Sequence, residues 1–207
     1  MGDLWQMLVA GGPVIVVLAL LSLLSLTLIA VKIGQLWSVR SGETRRAEAF
    51  ALWKAGDRTG AVRALDAGTS PADRLTAYAM KALTVGFDGP ELDAELTRRG
   101  NEEIAEMSGL LRLLELIAVV SPLLGLLGTV LGMIQSFQQL ALAEGAANAS
   151  VLAGGIWQAL LTTAAGLLVA IPAAVGAGLL SARIDSAAQK MESAVGQLML
   201  ADRNPAL

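Results

Sequence analysis

Between Leu111 and Arg183 the chain carries two long uncharged runs, Leu116–Ala143 and Gly145–Ala182, separated by one charge, Glu144. Each exceeds the ~20 apolar residues that a helix needs to cross a hydrocarbon core. A backbone immersed in hydrocarbon must satisfy its own hydrogen bonds, and among segments of this length the helix is the form that does so. The pair therefore reads as two membrane-spanning helices joined by a hairpin loop. A third uncharged run, Leu4–Val31, supplies another span, taken from Pro13 to about Leu36.

Small and polar residues on the pair are ordered. At 100° per residue, Ser121, Gly125, Gly128, Thr129, Gly132 and Ser136 fall in a stripe roughly 100° wide, with Leu123, Leu126, Leu127, Val130, Leu131 and Ile134 opposite. On the next helix Gly155, Ala159, Thr162, Gly166, Ala170, Ala173 and Ala177 share a stripe of roughly 80°, edged by Thr163 and Gln158. In lipid such stripes let backbones approach closely, so Gly125, Gly128, Gly132 and Gly166 are expected to pack helices. The hydroxyls and amides either bond to the preceding turn or face a partner or a wet cavity. Pro122 and Pro172 lie inside these helices, where they free carbonyls and predict kinks.

Charge sets the topology. All 15 Lys and Arg residues lie between Lys32 and Arg112 or from Arg183 onward. The positive-inside rule then predicts an N-terminus outside, a cytoplasmic middle segment, an outward hairpin tip and a cytoplasmic C-terminus. No basic stretch precedes the first apolar run, which reads as a retained span and not a cleaved leader. The expected order is an outer segment 1–12, span 13–36, a cytoplasmic helical segment 37–110, span 111–142, an outer loop 143–155, span 156–182 and a cytoplasmic tail 183–207. This is an all-α, polytopic membrane protein with long helical extensions. Trp5 is expected at the outer interface and Lys32 and Trp37 at the inner end of the first span.

In the middle segment, Asp57 reads as the N-cap of a helix over 58–65. Ser70-Pro71-Ala72-Asp73 is a stronger start signal, with Ser at N-cap, Pro at N1 and an acid at N3. Asp88-Gly89-Pro90 starts another helix, which either runs unbroken into the second span or breaks at Gly100 or Gly109.

The inventory restricts the chemistry. There is no cysteine and no histidine, so thiol and imidazole catalysis and the usual zinc sites are excluded. No nucleophile–base pair, metal cluster or phosphate-binding loop can be assembled, and no enzyme activity or cofactor is expected. A net charge of −3 without a basic stripe argues against nucleic acid. Glu115 is the lone carboxylate near a span and follows Arg112 by one turn; the two form either an i, i+3 ion pair at the cytoplasmic boundary or an inner mouth for cations.

The segments SPLLGLLGTVLGMIQSF (Ser121–Phe137) and GIWQALLTTAAGLLVAIP (Gly155–Pro172) resemble the two signature segments of the MotA/TolQ/ExbB proton-channel family, on its three-span ExbB/TolQ branch. The resemblance covers about 70 residues, including both Thr–Gly contexts and both prolines. It implies a homopentamer in a bacterial inner membrane whose second and third helices line a pore. It further implies a single-span ExbD- or TolR-like partner in two copies with an essential transmembrane Asp, and a TonB- or TolA-like protein beyond it. Proton-motive force would be turned into work at the periplasm or outer membrane. By the same resemblance Thr129 and Thr163 face the partner's Asp, while Thr162, Gln158 and Ser121 belong to the polar lining. Gln158 stands where many ExbB-type members have Glu, which removes a titratable group from the pore but leaves one able to orient water.

Overall fold

The computed structural model describes residues 12–37, 39, 41–142 and 149–204, and among these it holds seven helices and no strand. They are α1 (Gly12–Leu36), α2 (Glu43–Lys54), α3 (Arg58–Asp66), α4 (Pro71–Thr84), α5 (Gly89–Ser108), α6 (Leu111–Leu142) and α7 (Ala149–Arg203). Trp5 and the outer segment around it lie outside the described residues. Three helices are long and apolar enough to cross a membrane: Gly12–Leu36, Leu111–Ala141 and Leu152–Arg203. The last helix begins at Ala149, within the stretch expected to form the loop, and runs on without interruption through the expected tail.

The chain divides into two compact units. The first joins Met1–Val31 to Leu110–Leu179 and holds the apolar part of α1, all of α6 and most of α7. Here α1 buries one narrow stripe, Val14, Leu18, Ser25 and Leu28, and leaves Val16, Val17, Leu20, Leu23 and Leu26 exposed. Ser25 and Thr27 donate to the carbonyls of Ser22 and Leu23, at 2.9 and 2.8 Å, so neither hydroxyl is left unpaired on this leucine-rich helix. The α1 helix meets α7 where Gly176 leaves room for Ile29; a Cβ at Gly176 would stand 2.8 Å from Ile29 Cδ1.

The second unit joins Lys32–Gly109 to Leu180–Leu207. Its centre is α4, which buries Leu75, Thr76, Ala79, Met80 and Leu83. Local signals start its helices as the residues predict: Gly60 N–H donates to Asp57 Oδ1 at 2.8 Å, and Asp73 N–H to Ser70 Oγ at 3.2 Å. Asp88 precedes α5 without a side-chain cap. The C-terminal part of α7 closes this core with Ile184, Ala187, Met191, Ala194 and Leu198, spaced three and four apart. Arg58 fastens it, lying 5.0 Å from the centre of the Trp53 ring and pairing with Asp202 at 3.0 Å.

Beneath the Ser70 cap lies a buried charge pair. Asp73 is fully buried and takes Arg46 Nη1 at 2.5 Å, while that nitrogen also reaches Ser70 Oγ at 3.1 Å. Gly42, with φ +92, and Gly68 press their backbones against the Asp73 carboxylate, where a Cβ on either would overlap it.

Of the two break points expected for the long second-span helix, Gly100 lies inside α5 and the chain breaks at Gly109–Leu110. Gly109 is extended (φ −53, ψ 141), and Leu110 adopts φ 65, the one non-glycine residue with positive φ among the described residues. A left-handed leucine costs about 1–2 kcal/mol. The helix that could have run on into the second span is divided into α5 and α6.

Candidate functional site

The site is built on the crossing of α6 with the membrane part of α7, where the two small-residue stripes face each other. Gly125 lies against the backbone of Thr162 and Thr163: a Cβ there would come within 2.9 Å of Thr162 O and 3.1 Å of Thr163 Cα. One at Gly166 would stand 2.6 Å from Ser121 O, and one at Gly128 2.6 Å from Thr162 Oγ1. Gly132 packs on Ala159 at 3.4 Å, and Gly155 receives Ser136. With so little side chain between them the two backbones touch, which is how helices gain contact where lipid is as apolar as leucine.

That contact sorts the polar groups. Ser121 is fully buried and donates to Ile117 O at 2.7 Å. Thr162 is buried too, its hydroxyl 2.7 Å from Ala159 O and 3.2 Å from Gly125 O. Both belong to the seam between helices. Thr129 and Thr163 sit at its edge and are half-exposed. Thr129 donates to Leu126 O at 2.6 Å, a bond within its own turn. Thr163 instead reaches across to Gly125 O at 3.4 Å, near the outer limit for a hydrogen bond. Its proton is therefore the more loosely held of the two. The carbonyls that Pro122 and Pro172 deprive of a donor, those of Ala118 and Leu168, are not the acceptors these hydroxyls choose.

Thr129 opens onto a groove along α6 of about 640 Å³, lined also by Val130, Met133, Ile134, Phe137 and Gln138. Gln158 is half-exposed, one turn before Thr162. Arg112 and Glu115 are both exposed, and no salt bridge joins the two. Among the described residues no group of three or more metal-ligating side chains comes together.

The burial of three charged residues, Lys32, Arg46 and Asp73, escaped the reading of the residues. Lys32 does not reach out as an anchor; it is 3% exposed and donates to Met107 O at 3.0 Å. Asp73 was legible as a capping residue but not as the partner of Arg46. In α5, Glu95 accepts from both Arg98 and Arg99, and these bonds, Arg98 first, hold its carboxyl down at about 2. The Arg74 guanidinium is raised above its usual value, foremost by its hydrogen bond to Glu103.

Comparison with known proteins bears on the same stretch. A model of the MotA/TolQ/ExbB proton channel family matches residues 67–193, which include α4, α5, α6 and most of α7. The chain is similar to biopolymer transport protein exbB1 of Vibrio cholerae, with 52% identity over 90 residues, 44% of this chain and 40% of that protein. It is 37% identical over 173 residues to putative biopolymer transport protein ExbB-like 1 of Synechocystis, covering 78% of this chain and 64% of the other. Similarity to the Tol-Pal system protein TolQ of Haemophilus influenzae is 37% over 110 residues, 51% of this chain and 48% of that one. The chain thus spans between 40% and 64% of the length of these relatives.

Proposed function

The chain belongs to the MotA/TolQ/ExbB proton channel family, and from that premise we propose that it is the proton-channel subunit of an ion-driven motor in a bacterial inner membrane. It couples proton-motive force to work at the periplasm or outer membrane, in the manner of the biopolymer-transport and Tol-Pal proteins it is similar to. The observation that carries the reading is the division of labour at the α6–α7 crossing. Glycines and buried hydroxyls hold the two helices together, while Thr129 and Thr163 remain at the edge with oxygen available to a passing donor.

The spans themselves contain no acid between Glu115 and Glu144 or between Glu144 and Asp185. A titrating group at mid-membrane must then come from another chain, which fits a two-copy, single-span partner of the ExbD or TolR kind with a membrane Asp. The chain assembles as a homopentamer around that partner, with Glu115 and Arg112 at the inner mouth and Gln158 orienting water toward the outer end. A TonB- or TolA-like protein receives the work. The N-terminus is periplasmic and the C-terminus cytoplasmic, following the confinement of Lys and Arg to 32–112 and 183–207.

A second reading has its own support: Thr129 is closed on its own turn and Thr162 is buried, as in a packed scaffold that conducts nothing. Extraction from native membranes under mild conditions, followed by intact-mass measurement, separates the two. A pentamer holding two copies of a single-span protein with a membrane carboxylate is expected. A monomer, or a closed assembly without such a chain, refutes the motor. Thr163→Val adds a functional arm, since it is close in shape and removes the loosely held proton; a scaffold keeps its role at normal protein levels and a motor loses it.

A further inference from the structure

In the second unit a groove of about 580 Å³ lies between α5 and the C-terminal part of α7, and every residue that lines it belongs to that unit. The buried side chains of Leu75, Leu96 and Met191 form its apolar base. Gly100 on α5 and Gly196 on α7 line it too, in helix interiors where alanine is the better helix former. A Cβ at Gly196 would meet no atom within 4 Å, and one at Gly100 only Leu75 Cδ2, at 3.8 Å. No close contact within the chain requires either glycine. Each weakens its helix without a packing gain and leaves the groove wider. From Asp93 to Ile104 the α5 wall is about 16 Å long, the length of about three helical turns.

The charges along the groove are unspent. Asp93 on α5 and Glu192 and Arg203 on α7 all line it, and among the described residues no salt bridge involves any of them. By helical period Asp185, seven residues before Glu192, extends the acidic side of α7, and it makes no salt bridge either. Elsewhere on α5 the carboxylates are taken: Glu95 by Arg98 and Arg99, Glu102 by Arg98, and Glu103 by Arg74. An apolar base edged by three unpaired carboxylates and one unpaired guanidinium is complementary to a basic amphipathic helix.

We infer that this groove seats the cytoplasmic end of the single-span partner, as a basic amphipathic helix. The inference rests on the proton-channel reading, which supplies such a partner. In the orientation proposed above the second unit is cytoplasmic, and the flank of a membrane span on that side is the one enriched in Lys and Arg. Apolar residues of the docked segment, spaced i, i+3, i+4 and i+7, lie on Leu75, Leu96 and Met191. Its cations face Asp93 and Glu192, and Gly100 and Gly196 give its backbone room to approach.

A photo-crosslinking residue placed at Asn101, on the groove wall, tests this in the complex extracted from native membranes. The same residue at Val85, 81% exposed in the turn after α4, is the control. Irradiation and mass spectrometry should join position 101, and not position 85, to the Lys- and Arg-rich end of the single-span chain that the intact mass reveals. Asp93→Lys with Glu192→Lys sets like charge against like and should lower that yield about tenfold. Gly196→Leu, at a site with room for a side chain, fills the groove and should do the same; it carries the test if the double variant does not assemble. Crosslinks from position 101 to another copy of this chain or to lipid, no crosslink there, or an unchanged yield in Gly196→Leu overturns the docking. If the intact mass still includes the small chain, the proton-channel reading survives that result. An intact mass without any single-span chain removes the reading and the docking together.

Discussion

The crossing of α6 with α7 is held open to no side chain at Gly166, and the cost of adding one can be worked through. In Gly166→Ala the new Cβ would lie 2.6 Å from Ser121 O and 3.1 Å from Gly125 Cα. Both neighbours are backbone, so neither can rotate away. Reaching ordinary contact at 3.4 Å requires the helices to part by about 0.8 Å along that line. A gap of this size forfeits a quarter to a half of each atom–atom attraction across the seam. It would also stretch the Thr162 and Thr163 contacts to Gly125 O, now 3.2 and 3.4 Å, beyond hydrogen-bonding range. Overpacking of this kind costs about 1–3 kcal/mol. The control is Gly178→Ala, on the same helix with nothing within 4 Å, which gains up to about 1 kcal/mol of helix propensity. Thermal unfolding of the purified protein in one detergent, scored by loss of tertiary fluorescence, compares the two. Gly166→Ala should melt below the native protein and Gly178→Ala at or above it. Equal melting of Gly166→Ala and the native chain would refute backbone contact at this crossing.

In the cytoplasmic unit, Asp73→Ala strands Arg46 in the core and should cost about 3–5 kcal/mol, whereas Asp73→Leu with Arg46→Met removes both charges and should recover most of that loss. Chemical denaturation followed by the buried Trp53 reads the cycle; additive losses would show that the two side chains are not coupled. The α5 carboxylate Glu95 supplies a pH dependence. Its pKa of about 2 lies below the ordinary value near 4.3, so its contribution is present above the ordinary value and is lost as pH falls through about 2. Amide protection over residues 95–102 should hold down to about pH 4.3 in the native chain and weaken progressively from there to about pH 2, while Glu95→Gln removes that acid dependence. A native profile no steeper than that of Glu95→Gln between about pH 4.3 and 2 would contradict the arginine pairing.

What the residues disclosed in advance divides along a physical line. In the apolar unit the backbone satisfies itself within each helix, and helices meet wherever small residues permit, so a stripe counted at 100° per residue is already a contact map. The residues from Ser121 to Ser136 and from Gly155 to Ala177 were legible for that reason. The limit came at the edges. Thr162 and Thr163 are neighbours in sequence, yet one is sealed in the seam and the other half-exposed, a difference decided by where two helices cross. In the polar unit, caps such as Asp57 and Ser70 were legible because donor and acceptor lie three residues apart. Asp73 and Lys32 were not. Their partners are 27 and 75 residues away, and no local pattern distinguishes a buried ion pair from a solvated one.

Of the two weak points noticed in the residues, Gly100 and Gly109, the chain breaks at the second. Helix propensity ranks a glycine as a place where a helix can end, and the carbonyls left over at such an end need partners from elsewhere. Gly100 sits in the middle of α5, which continues through it to Ser108. At the end of α5, Met107 O accepts from Lys32 Nζ, a group that belongs to α1. The glycine was legible in the segment's own residues, whereas the lysine that satisfies the carbonyl beside it is a tertiary contact and was not.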